Sequence, residues 1–405
     1  MSNTNQKLSS PSILNGCKVL DFGHFIAGPF CAALLADYGA DVIRIERPAG
    51  APDRYVQPVG DSADSEGAVY LQANRNKRSL TLDMFSQEGR AVAHRLVAGA
   101  DVVIANLPAK TLAAMGLDYA TLRAIKPDIV LSTCNAFGAV GAVSDKPGFD
   151  GIGQAMSGAM QMTGDNGIPR KAYAHYVDFC TASMSAFGIM LALYHRQASG
   201  EGQHVETSLL GTAMAMMNAA LIEQHLLRPN REGTGNLAQL AGPADIFRAT
   251  DGWILMQVVG ASMFRRWARL VGKEEWIDDP RFADDGSRGA HGALLSECMS
   301  TWCSTRTAAQ CLQALESVGL PCAPIHNFQQ ALDDPNIAQQ QFFQFQSFAG
   351  VNEEYPVSKS TITLSATPAS MRSSAPVLGA DTEQILADHG YDSVAIATFK
   401  KNGVI

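Results

Sequence analysis

Apolar positions along the chain fall into two rhythms. Short continuous runs, Lys18-Val-Leu-Asp-Phe22, Asp41-Val-Ile-Arg-Ile45, Ser79-Leu-Thr-Leu82, Asp101-Val-Val-Ile104 and Ile129-Val-Leu-Ser132, predict buried strands. Between them helical spacing predicts helices over 29–38, stopped by Gly39, and over 87–98, 112–115 and 119–125. Strands that alternate with helices imply a parallel sheet covered on both faces, so the expected fold class is α/β.

After Asp150 the pattern changes to Ala/Met/Gly-rich helices over 154–162 and 178–199. The turn-rich stretch 228–242 reads as a linker. Beyond it come a strand over 253–258 and helices over 264–270, 294–303 and 308–318, a smaller unit ending at 321–325. Residues 355–378 read as extended and proline-spotted, with short helices following over 381–389 and 393–400. The expected division is therefore 1–227, 228–325 and 326–405. The polar, Ser-rich residues 1 to about 12 predict a loose arm.

At 405 residues the chain exceeds what one core usually organises, which agrees with two domains. A net charge of −8 argues against nucleic acid as the main partner, because that binding needs clustered Lys and Arg. The eight cysteines are scattered without a CxxC pair, and no apolar segment precedes the first strand, which together predict a reduced, cytoplasmic protein. The longest apolar stretches are broken by Ser, Gly, Asn and Glu, so no membrane partner is expected.

Several chemistries can be weighed. The first βα turn, Gly23-His-Phe-Ile-Ala-Gly28-Pro29, followed by Glu46 at the end of the next strand, could hold a dinucleotide, but its spacing is not G-x-G-x-x-G. No HExxH or CxxC grouping suggests a metal, His195 and His204 read as solvated or structural, and no G-x-S-x-G marks a serine nucleophile. Asp178 stands out, in apolar or weakly polar surroundings that lead straight into a buried helix. It could cap that helix, and the helix terminus would then keep the carboxylate ionised and nucleophilic. Asp150 precedes another helix.

In order along the chain, Phe25-Ile-Ala-Gly-Pro29, the block from Gly39 to Pro48, Asn74 to Asp83, Ala105-Asn106, Met115-Gly-Leu117, Asn135 to Gly138, Pro147 to Asp150 with Gln154 to Gly158, Val177-Asp178 and Gly200 to Gln203 resemble the class III CoA-transferase family, also called CaiB/BaiF. The resemblance covers nearly the whole chain. It implies a Rossmann-like large domain built from both chain ends, an inserted smaller α+β domain and an interlocked homodimer. It also implies acyl-coenzyme A and a small carboxylic acid as substrates, with no metal. Asp178 matches the family's nucleophile, which passes through an aspartyl anhydride and an aspartyl-CoA thioester, and Asp150 matches a supporting acid. Phe25, Ile26, Ala27, Arg47, Leu82, Asn106, Leu107 and Lys146 match positions that contact coenzyme A. Gly242 matches a glycine loop over the site. Arg75, Arg170 and Lys171 are candidates to pair a second substrate carboxylate, with succinate as the first guess. Two departures stand out: Ala182 replaces a common Gly, and Phe149 stands where related racemases carry a His. A phenyl ring cannot shuttle a proton, so the racemase alternative is the weaker, and a non-catalytic homologue that binds coenzyme A is the remaining alternative.

Overall fold

The computed structural model describes residues 12–59 and 66–405. The arm expected over the first dozen residues lies almost wholly outside them. The described chain forms two compact units, the first made of residues up to Ser157, Tyr173–Ile222 and Gln341–Ile405, the second of Gly158–Ala172 and Glu223–Gln340.

The first unit is built on a six-stranded sheet whose pairs are all parallel: β1 (Lys18–Asp21), β2 (Asp41–Glu46), β3 (Lys77–Thr81), β4 (Val102–Ala105), β5 (Val130–Asn135) and β6 (His204–Ser208). Their order is β3-β2-β1-β4-β5-β6. The continuous apolar runs are explained by burial on both faces. Leu20, Ile43, Val103 and Leu131 point into one core, closed by helices Gln87–Val97, Thr382–Asp388 and Ser393–Lys401. Their neighbours Val19, Val42, Val102 and Val130 point into the other, closed by helices Ala27–Asp37 and Tyr176–Ser199. Ala182 is fully buried in this second core. Among the described residues Tyr176–Ser199 is the one helix long and apolar enough to cross a membrane, and half of its apolar window is buried inside the fold.

The order reverses between β1 and β4, whose carboxyl ends open a crevice. In doubly wound sheets ligands bind at such a switch point. A cluster of buried charges underlies it. Lys77 donates to Asp21 (2.7 Å), Asn74 and the Pro29 carbonyl, while Arg44 reaches Asp53 (2.8 Å) and Arg54 holds Glu46. The polar run Asn74-Arg-Asn-Lys77, which hydropathy alone would put on the surface, is buried throughout.

The second unit holds an antiparallel sheet, β7 (Ala244–Arg248), β8 (Trp253–Gln257) and β9 (Cys322–Pro324), in the order β7-β8-β9, with helices packed around Phe264, Trp267, Leu295 and Met299. The expected boundary at 325 falls inside this unit, because 321–325 supplies its edge strand, and helices Phe328–Asp333 and Pro335–Gln340 belong with it. The helix expected over 154–162 is two, Asp150–Met156 and Ala159–Thr163, broken at Gly158, where φ is +87°. Strand β6 was not expected. Residues 355–378 are irregular except for a strand, β11 (Tyr355–Ser358), paired in a hairpin with β10 (Phe343–Gln346).

Candidate active site

A cavity of about 200 Å³ lies within the first unit at the switch point. The turn after β1 forms one wall with His24, Phe25, Ile26 and Ala27, and the loop after β4 adds Asn106 and Leu107. Lys146, Phe149, Cys134 and Asp178 complete the part that matters chemically. Seven of the ten residues proposed from sequence as catalytic or coenzyme-binding thus line one space: Asp178, Phe25, Ile26, Ala27, Asn106, Leu107 and Lys146.

Local geometry explains the wall. Gly23 and Gly28 pack against each other so closely that a Cβ on Gly28 would lie 3.0 Å from the Gly23 Cα, and one on Gly23 would lie 2.7 Å from Asp21 and from Pro29. These glycines therefore tighten the turn. Asn106 clamps it from across the crevice, accepting the His24 N–H (2.6 Å) and donating to the His24 carbonyl (2.7 Å). Phe25 takes a left-handed backbone (φ 60°), a conformation that costs a bulky residue about 1–3 kcal/mol, and its ring meets Phe149 edge to face at 5.1 Å.

Asp178 and Asp150 are both buried. The sequence suggested that Asp178 caps its helix, but that helix begins two residues earlier, at Tyr176, the N-cap residue His175 makes no side-chain bond to it, and Asp150 takes its early amides instead. Asp150 Oδ1 accepts the N–H groups of Val177 (2.8 Å) and Asp178 (3.2 Å), and its Oδ2 accepts from Gln154 (2.5 Å). The expectation that the helix end keeps Asp178 ionised is therefore corrected. With the terminal amides taken by Asp150, burial first and the Asp150 charge second push the Asp178 carboxyl up to about 7. The thiol of Cys134, in the same cavity, is raised to about 12, mainly by burial, with the Asp178 charge contributing.

Other sequence-predicted residues lie elsewhere. Arg75 is not free to pair a substrate. Its guanidinium is buried and held by Asp37 (2.7 Å) and the Gln72 carbonyl. Leu82 is sealed in the core, which leaves only its backbone for a ligand. Arg47 is exposed after β2, outside the cavity lining, with Nε donating to the Gly50 carbonyl (2.6 Å). Gly242 is buried in the second unit, where a Cβ would lie 3.1 Å from both the Arg288 carbonyl and Leu295. Arg170 and Lys171 are exposed in that unit. Glu46 cannot serve a ribose, because Arg54 and the Ala51 N–H occupy its carboxylate. Its carboxyl is lowered to about 2 because the neighbouring Arg44 and Arg54 outweigh burial, which acts in the opposite direction. His204 bonds Thr133 (2.8 Å) in the sheet. Among the described residues no group of three or more His, Cys, Asp or Glu side chains is arranged to hold a metal. His24 has no motif of its own in the sequence beyond its place between the two glycines of the first turn.

The family model for CoA-transferase family III matches residues 14–382. A succinyl-CoA–D-citramalate CoA-transferase of Chloroflexus aurantiacus is 33% identical over 93% of this chain and 94% of its own. A succinate–glutarate CoA-transferase of Agrobacterium fabrum is also 33% identical, over 93% of this chain and 95% of its own. Among solved structures, a CaiB/BaiF family protein from Brucella suis superposes with a TM-score of 0.82 at 28% identity, covering 94% of this chain and all of the other.

Proposed function

This chain belongs to CoA-transferase family III and is a CoA-transferase, and we propose that it moves coenzyme A between two small carboxylic acids, one of them a dicarboxylate such as succinate, with Asp178 as the nucleophile. The observation that carries the mechanism is a buried carboxylate, that of Asp178, in the lining of the switch-point cavity.

The steps balance without any other reagent. A carboxylate oxygen of Asp178 attacks the thioester carbonyl carbon, the π electrons move onto oxygen, and collapse breaks the C–S bond to leave a mixed anhydride and CoA thiolate. The thiolate then attacks the aspartyl carbonyl and releases the donor acid as its carboxylate. The acceptor carboxylate attacks the resulting aspartyl thioester, and the expelled thiolate takes the acceptor acyl group, which restores Asp178. Anhydride and thioester are both activated, so no ATP is needed, and a buried site protects them from water. Lys146 is the one Lys or Arg side chain among those lining the cavity, which suits it to an anionic group of coenzyme A or to the far carboxylate of a dicarboxylate. The relatives active on succinyl-CoA and on succinate with glutarate support the choice of acid.

A homodimer belongs to the same reading. Met184, Phe187, Leu191 and Tyr194 form an exposed apolar stripe at helical spacing on Tyr176–Ser199, a surface that a second copy would cover.

The test is an exchange assay with succinyl-CoA and a panel of short acids. We expect transfer by the wild-type protein and loss of at least about 10³-fold in Asp178→Ala, with coenzyme A binding retained. Turnover that survives in Asp178→Ala, or solvent deuterium entering the α-carbon without any acceptor acid, would contradict the reading. The second result would favour an isomerase.

A further inference from the structure

The turn between Gly23 and Gly28 places an imidazole in the same cavity as the nucleophile. His24 is half-buried, and neither of its ring nitrogens has a hydrogen-bond partner among the described residues. A structural histidine in this fold looks different: His204 bonds Thr133, and His389 bonds the Ile385 carbonyl. Only the backbone of His24 is fixed, and it is fixed on both sides by Asn106. The strained turn at Phe25 follows immediately. Chain and clamp together hold the His24 backbone in the wall of the cavity and leave its ring donor unspent.

Attack on a thioester puts negative charge on the carbonyl oxygen, and preorganised donors aimed at that oxygen supply much of the rate in acyl transfer. The cavity side chains able to donate are few. Asn106 gives one amide N–H to the His24 carbonyl, Ser144 donates to the Gly141 carbonyl, Asn135 accepts the Gly138 N–H, Lys146 suits an anionic group, and the Cys134 thiol is a weak donor. We propose that His24 is a catalytic residue of the transfer reaction, donating a ring N–H to the acyl oxygen as the tetrahedral adduct with Asp178 forms. This inference rests on the transfer reading above.

The donor works as neutral imidazole and transfers no proton, so the electron bookkeeping of each step is unchanged. Burial, the largest influence, holds the ring below its usual value against the opposing charges of Asp53, Asp21 and Glu46, with Arg44 adding to the depression.

The experiment compares wild type, His24→Ala and His24→Gln, each folded by thermal shift and binding coenzyme A, in succinyl-CoA exchange. His24→Ala should lose about 10²–10³-fold in kcat, the cost of removing one oxyanion donor, with KM for succinyl-CoA changed less than about threefold. His24→Gln keeps a neutral N–H donor and should recover to within about tenfold of wild type. Wild-type kcat in His24→Ala, a loss confined to KM, or equal losses in both variants would overturn the role of His24 while leaving Asp178-dependent transfer standing. No exchange by the wild-type protein would bring down both.

Discussion

At the residue scale the decisive quantity is the ionisation of Asp178. The charge that acts on it is that of Asp150, its own charge acts on Cys134 from β5, and His24 and Lys146 line the same cavity. Its carboxyl is raised in the folded chain, so the protonated form is favoured by folding. That contribution to stability is full below about pH 4, is lost as pH climbs toward about 7, and leaves a strained anion above. Two outcomes are expected. kcat/KM should rise through about pH 7 and then level off, because only the anion attacks. Asp178→Asn should be more stable than wild type at pH 8, by up to about 4 kcal/mol, with the difference gone near pH 4. Denaturation at the two pH values checks the second. A flat pH profile would contradict the first.

At the element scale the junction between helices Asp150–Met156 and Tyr176–Ser199 does the positioning. Asp150→Asn keeps an oxygen for the Val177 and Asp178 amides but removes the charge, so the acid limb of the pH–rate profile should move below about pH 7. Asp150→Ala should also lose about 1–2 kcal/mol of stability for the missing cap. A limb that stays in place in Asp150→Asn would show that burial alone sets the acidity of Asp178. None of this junction was legible in the sequence. The cap comes from 27 residues away, and a local reading naturally gave the role to Asp178 itself. The apolar runs of β1, β2, β4 and β5 were legible because residues buried on both faces leave no polar alternation. The half-buried His204–Ser208 gave no such signal.

At the scale of the whole molecule, the parallel sheet and the order of its first five strands bring segments far apart in the sequence to one crevice. Most of the coenzyme-binding positions carried by resemblance meet there. What the sequence could not separate was charge held by the fold from charge offered to a ligand. Asn74 to Lys77 reads as a polar surface run, yet it lies beneath the sheet edge with its cations neutralised by Asp37 and Asp21. Arg75→Ala should accordingly act on the fold. Removing one partner of a buried pair costs about 3–5 kcal/mol, so urea denaturation should show a loss of that order, whereas an unchanged midpoint with a raised KM for the acid would return Arg75 to the substrate.

The most direct measurement is mass spectrometry of the protein mixed with succinyl-CoA and quenched before an acceptor is added. With Asp178 as the nucleophile, a covalent adduct, a coenzyme A thioester or its hydroxylamine-trapped derivative, is expected on the peptide containing Asp178 and is absent from Asp178→Ala. An adduct on another side chain, or brisk exchange with no adduct on that peptide, would contradict it.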